Sequence, residues 1–281
     1  MTGREPTEGF GSLAERRRRR RRARGGRRRG LYLLPSLFTT GNLFFGFYAI
    51  IHAILGDPDK AALGIVLAAV FDTLDGRVAR LAHATSKFGA EYDSLADIVA
   101  FGVAPAVLAF TAGDLRVLGR PGWMMVFVYT VCAALRLARF NVHPSRYKGR
   151  FEGLPSPAAA LMVAATVWFM EFVHERWADL RFPELLVAVA TMVIGLLMVT
   201  TIPYRSFKEL DLRHSYGTLV LVVIALVLVS IEPSVTLFGI GVAYIVSGPI
   251  EWVWRLRTGK QLEEIPLAAL ADPLKDLSHE H

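Results

Sequence analysis

A single cysteine, Cys132, is the whole thiol complement of the 281 residues. That excludes an intrachain disulfide framework, and its apolar setting points to plain packing. The seven histidines are scattered, without the spacing a zinc site needs. Charge is scarce as well: 20% of residues are Asp, Glu, Lys or Arg against 53% hydrophobic, and mean hydropathy is positive. No polar stretch of domain size and no internal repeat breaks up the apolar segments. Disulfide-stapled modules, zinc domains and ordinary soluble domains are thereby excluded, which leaves a polytopic membrane protein. No cleavable leader is read, because the run of eleven arginines from Arg16 to Arg29, and no cleavage-like site, precedes the first apolar run.

What is present is a series of eight apolar segments, near 33–54, 61–82, 90–112, 122–141, 155–173, 184–202, 216–231 and 235–254. Each is long enough, or nearly so, to cross about 30 Å of hydrocarbon, the seventh being the shortest. With the N-terminus in the cytoplasm, the tail, the even-numbered loops and the C-terminus carry 27 of the 32 Lys and Arg residues. The other side holds Lys60, Arg116, Arg120, Arg176 and Arg181. This asymmetry obeys the positive-inside rule. The expected fold is an all-α polytopic membrane protein with about eight transmembrane helices and cytoplasmic N- and C-termini. Residues 1–30 form an arginine-rich tail, 31–258 the membrane domain and 259–281 a C-terminal cytoplasmic tail.

The net charge of +7 comes from the tail: eleven arginines fall between Arg16 and Arg29, and the rest of the chain sums to −4 (7 − 11). Arginine runs also mark nucleic-acid binding. On a membrane protein the run reads instead as a disordered cytoplasmic segment that fixes topology and touches anionic lipid, and no nucleic-acid partner is expected.

Four carboxylates interrupt this apolar pattern: Asp72 and Asp75 late in the second segment, Asp93 and Asp97 early in the third. Spacings of three and four put each pair on one helix face, and a short connection near 83–88 makes the two helices antiparallel neighbours. The four acids then converge on a pocket at the cytosolic level of the inner leaflet. Unneutralised they would repel one another and take up protons. An all-oxygen donor set suits Mg²⁺ or Mn²⁺, and two such ions would also hold a pyrophosphate. Gly76, directly after Asp75, allows close approach of a backbone or flat ligand, and Arg80, one turn on, suits a phosphate or nucleobase edge. Two other readings of the same acids are a purely architectural cluster paired with Arg77 and Arg80, and an ion path through the membrane. Apolar packing would be cheaper than the first. Clustering on one side of the bilayer and the lack of a repeat argue against the second.

At these residues the chain resembles the CDP-alcohol phosphatidyltransferase family, whose signature D-x2-D-G-x2-A-R-x8-G-x3-D-x3-D is matched at all eight fixed positions from Asp72 to Asp97. The resemblance implies attack of an alcohol on the β-phosphorus of a CDP-linked lipid, with CMP leaving. It makes Asp72, Asp75, Asp93 and Asp97 ligands of two divalent ions and Asp97 also the general base. Gly76, Arg80 and Ser86 then contact the CDP headgroup, joined by Thr39 and Ser36 of the first helix. Ser36 stands where the family often has Asn, and Thr39 could equally serve as a helix cap.

Stretches around Leu34–Leu43, Arg136–Asn141, Phe151–Ala160 and Pro203–Lys208 resemble the branch of the family that uses serine. That implies CDP-diacylglycerol and L-serine as substrates, an inner-membrane location with the site facing the cytosol, and a homodimer. Sister enzymes with glycerol 3-phosphate, an inositol phosphate or choline as acceptor are the nearest alternative. Serine carries a carboxylate, and Arg136 and Arg139 at the cytoplasmic end of the fourth helix could clamp it; the other reading is a topology anchor snorkelling to the interface. Arg146, Lys148 and Arg150 are read as solvated and lipid-facing. Gly153-Leu154-Pro155-Ser156-Pro157 reads as a rigid start to the fifth helix.

Overall fold

The computed structural model describes residues 36–81, 87–142, 150–177, 180, 182–205 and 231–258. These form seven helices: α1 (Ser36–Ile54), α2 (Pro58–Leu81), α3 (Lys87–Ala112), α4 (Arg120–Val142), α5 (Ser156–Arg176), α6 (Glu184–Val199) and α7 (Pro233–Thr258). Among the described residues the strands are two three-residue pieces, β1 (Arg150–Glu152) and β2 (Pro203–Arg205), paired antiparallel. Five helices, α1, α3, α4, α5 and α7, are long and apolar enough to cross a membrane, so the chain is an all-α, multi-pass membrane protein. Helix α2 has the length, but Asp72, Asp75 and Arg77 interrupt its apolar stretch with three charges. The sixteen residues of α6 reach about 24 Å, short of a full hydrocarbon span. The expected segment at 216–231 and both expected tails lie outside the described residues, apart from Ile231.

Helix α1 buries one stripe, Thr39, Asn42, Gly46, Ala49 and Ala53, at the three- and four-residue steps of a helix face. Its small members let two neighbours come close. Against α2 the pairs run antiparallel: Thr39 meets Asp75, Gly41 faces the Phe71 ring and Ala49 meets Gly64. Against α3 they run parallel: Thr40 meets Tyr92, Asn42 meets Asp97, and Gly46 lies on Ala100. A Cβ on Gly46 would stand 2.7 Å from the Ala100 Cα. Gly46→Val should therefore push α1 off α3 and cost about 1–3 kcal/mol, read as a lower thermal midpoint of the detergent-purified protein; an unchanged midpoint would mean the crossing is not tight.

Directly after Asp97, α3 widens into a π-helical stretch, Ile98–Val103, before resuming at Ala104. The chemistry behind it is Pro105, which has no N–H to give to Phe101 O. Helix α4 supplies the missing donors: the fully buried Tyr129 donates its hydroxyl to Phe101 O at 3.0 Å, and Thr130 Oγ1 donates to Gly102 O at 3.2 Å. The same Tyr129 backbone lies against Gly195 of α6, so α4 is gripped between α3 and α6. Helix α5 packs on α2 and α7. Its start is as rigid as the sequence suggests. Gly153 holds a φ of +73° where a Cβ would strike the carbonyls of Met198 and Thr200, and Pro155 and Pro157 flank the first helical residue.

Candidate active site

Three helices supply the site. Asp72 and Asp75 project from the last turns of α2, Asp93 and Asp97 from the first turns of α3, and α1 runs beside both. Carboxylate oxygens of Asp72, Asp75 and Asp93 all lie within 4.8 Å of one another. Asp75 is buried and accepts a 2.7 Å hydrogen bond from Thr39 Oγ1. Asp97 stands just outside that trio, within electrostatic reach of its members, and accepts a 2.9 Å hydrogen bond from Asn42 Nδ2. Two polar residues of α1, three apart, thus hold one acid from each of the other helices.

The trio fits a divalent cation. All its donors are oxygens, the three carboxylates crowd one another, and Asp93 Oδ1 is buried with no hydrogen-bond partner among the described residues. A buried carboxylate oxygen left in that condition is what a metal ion would satisfy.

Thr39 is no helix cap, since it lies inside α1 with its hydroxyl committed to Asp75. Ser36 is the first described residue of α1, and its carbonyl accepts from Thr40 Oγ1 at 2.7 Å. Gly76 is half-buried on α2, and Arg80 follows it by one helical turn. Ser86 lies outside the described residues. Asn42, fully buried, carried no assigned role in the sequence reading; a lone amide three residues after a threonine in an apolar helix was its signal.

Arg136 and Arg139 come together at the end of α4, but not as snorkelling anchors. Arg136 is 8% exposed and donates through Nη1 to the carbonyls of Glu152 (2.8 Å) and Met198 (3.3 Å). Arg139 donates to Val199 O (3.1 Å), Glu152 O (3.0 Å) and Thr200 O (3.3 Å). Among the described residues neither has a carboxylate partner, so two guanidinium charges sit side by side against backbone carbonyls alone. The same end of α4 reaches α3 where Asn141 Nδ2 donates to Ser94 Oγ, 2.9 Å away and next to Asp93. Arg150 departs from expectation. It is not solvated but 15% exposed, paired with Glu251 of α7 at 2.8 Å.

A multi-pass helical protein with an eight-position acid, glycine and arginine signature folded into one carboxylate cluster defines a class. The family model for CDP-alcohol phosphatidyltransferase matches residues 32–203, and the chain belongs to that family. Its relatives narrow the class. The chain is 36% identical over 225 residues to the CDP-diacylglycerol–serine O-phosphatidyltransferase of Helicobacter pylori, covering 80% of this chain and 92% of that one. The enzyme of the same name from Mycobacterium tuberculosis is 36% identical over 208 residues, 71% of each chain. That of Bacillus subtilis is 32% identical over 176 residues, 63% of this chain and 92% of its own.

Proposed function

We propose that the chain transfers the phosphatidyl group of CDP-diacylglycerol to the hydroxyl of L-serine, releasing CMP and forming phosphatidylserine. The observation that carries this is the carboxylate cluster of α2 and α3, intact at every position of the family signature; the names of the relatives support the choice of serine. Asp97 takes the proton of the attacking hydroxyl as the new O–P bond forms and the β-phosphorus–oxygen bond to CMP breaks. Asn42 holds Asp97 for that task by a bond that leaves its second oxygen open to the substrate. Asp72, Asp75 and Asp93, with Asp97, would hold two Mg²⁺ or Mn²⁺ ions. Bound there, the ions supply positive charge to the pyrophosphate and the leaving CMP. Gly76 leaves room for the CDP headgroup, with Arg80, Ser86, Thr39 and Ser36 around it. Thr39 acts there chiefly by fixing Asp75. Positioning and charge neutralisation account for most of what in-line displacement asks of a protein.

Arg136 and Arg139 receive the serine carboxylate. Support comes from the burial of Arg136 and partial burial of Arg139 without an acidic partner among the described residues, and from N–H groups of Arg136, Nε and Nη2, that make no hydrogen bond there. The chain spans the inner membrane eight times with both termini and the site on the cytosolic side, as the Lys and Arg distribution supports. Residues 1–30 and 259–281 are its cytoplasmic tails, and the working unit is a homodimer, on the family resemblance.

The test is CMP release by the purified protein given CDP-diacylglycerol and, separately, L-serine, glycerol 3-phosphate, an inositol phosphate or choline. Serine alone is expected to support turnover. CMP release with one of the other three acceptors and none with serine would overturn the assignment.

A further inference from the structure

Helix α7 lies beyond the segment that defines the family, yet it is wired to the acceptor end of the site. Glu251 is the contact. Its carboxylate receives Arg150 Nη2 at 2.8 Å, Arg205 Nε at 3.2 Å and, from its own helix, Arg255 Nη2 at 2.7 Å. Arg150 and Arg205 are register partners across β1 and β2, so one carboxylate ties both strands together at the same rung.

Two more contacts hold the strand pair to α7. Tyr204 donates its hydroxyl to Ile245 O at 3.1 Å, its ring filling the space a Cβ on Gly248 would need, and Tyr244 donates to Arg205 O at 3.2 Å. Burial pushes the Tyr204 phenol up to about 12, so it stays a donor throughout the physiological range.

The far rung of the strand pair, Glu152 opposite Pro203, is where Arg136 and Arg139 attach: Glu152 O accepts from both, at 2.8 and 3.0 Å. A continuous path therefore runs from Glu251 through Arg150 and two residues of strand to the carbonyl that aims both guanidinium groups. A guanidinium is a rigid planar fork, so moving one of its acceptors turns all of its N–H groups together.

We propose that Glu251 is a positioning residue for the acceptor alcohol: it fixes the β1–β2 strand pair and through it the orientation of Arg136 and Arg139. This rests on the reading of those two arginines as the serine clamp. It gives the C-terminal helix a role in substrate selection rather than in anchoring alone.

Steady-state kinetics of Glu251→Gln test it. The KM for L-serine should rise about tenfold, as misdirected contacts do, while kcat and the KM for CDP-diacylglycerol move less than about twofold. Glu251→Asp, which keeps the charge, should recover part of the serine KM. If Glu251→Gln does not yield folded protein, Arg205→Gln decides. That side chain is 76% exposed and its loss removes one strand contact, with an expected rise in serine KM of about threefold. A serine KM that does not move, or two KM values that rise in parallel, would overturn the proposal. Arg139→Lys separates this from the clamp itself. If it leaves the serine KM unchanged, the clamp reading fails; if it raises that KM while Glu251→Gln does not, only the role of Glu251 fails.

Discussion

Asp97→Asn should lower kcat by about 10²–10⁴-fold, the range for removing a general base, and leave CDP-diacylglycerol binding largely intact. The amide is isosteric with the carboxylate, and its oxygen can still accept the 2.9 Å bond from Asn42 Nδ2. The packing of α3 on α1 and the π-helical turn that follows are therefore undisturbed. What is lost is a basic oxygen able to take the serine proton and one negative charge at the edge of the cluster. The trio of Asp72, Asp75 and Asp93 keeps its three carboxylates. CMP release at saturating substrates reads the first effect, and titration of the purified variant with CDP-diacylglycerol reads the second. Full turnover would remove Asp97 from the proton transfer. Loss of lipid binding together with turnover would make it a headgroup ligand first.

The parts of this arrangement that were legible in the sequence are those set by local geometry. Asp72 with Asp75, and Asp93 with Asp97, share faces because helix periodicity requires it, and the brief connection between α2 and α3 brings the faces together. Helix positions followed apolar length, so that the expected 235–254 became Pro233–Thr258. The charged residues that build the site also keep α2 from reading as a simple span. Contacts set by tertiary crossings were not legible. Asn42 reaches Asp97 only because Gly46 lets α1 lie against Ala100, and no local pattern announces which helix a small residue will meet. Glu251 and Arg150 are 101 residues apart, and an arginine in a connecting loop looks solvated until its partner is known. The π-helical turn had a local cause in Pro105, but whether the freed carbonyl ends the helix or bends it depends on Tyr129 arriving from α4.

Chelation should abolish CMP release, and Mg²⁺ or Mn²⁺ should restore it. Asp75→Asn should raise the metal concentration needed for half-maximal activity by at least about 10–100-fold, since loss of a residue that merely supports a ligand already costs that much. The argument is one of charge. Three carboxylates within 4.8 Å destabilise one another until a cation arrives, and one oxygen of Asp93 is buried without a donor among the described residues. The substitution therefore has opposite effects with and without metal. In chelator, replacing one of the three charges relieves repulsion, and the amide oxygen still accepts from Thr39, so the thermal midpoint of Asp75→Asn should equal or exceed that of the wild type. With Mn²⁺ the wild type should gain more, because a ligand at 100 times its Kd adds about 2.7 kcal/mol by mass action, and the weaker site of the variant captures only part of this. Midpoints measured by thermal shift, with and without Mn²⁺, report on the metal independently of turnover. Full turnover in chelator, or equal Mn²⁺ shifts in the two proteins, would reduce the cluster to architecture. A crossing of the two stability curves on adding Mn²⁺ is the signature of acids held together for a cation, a strain that apolar side chains in their place would not carry.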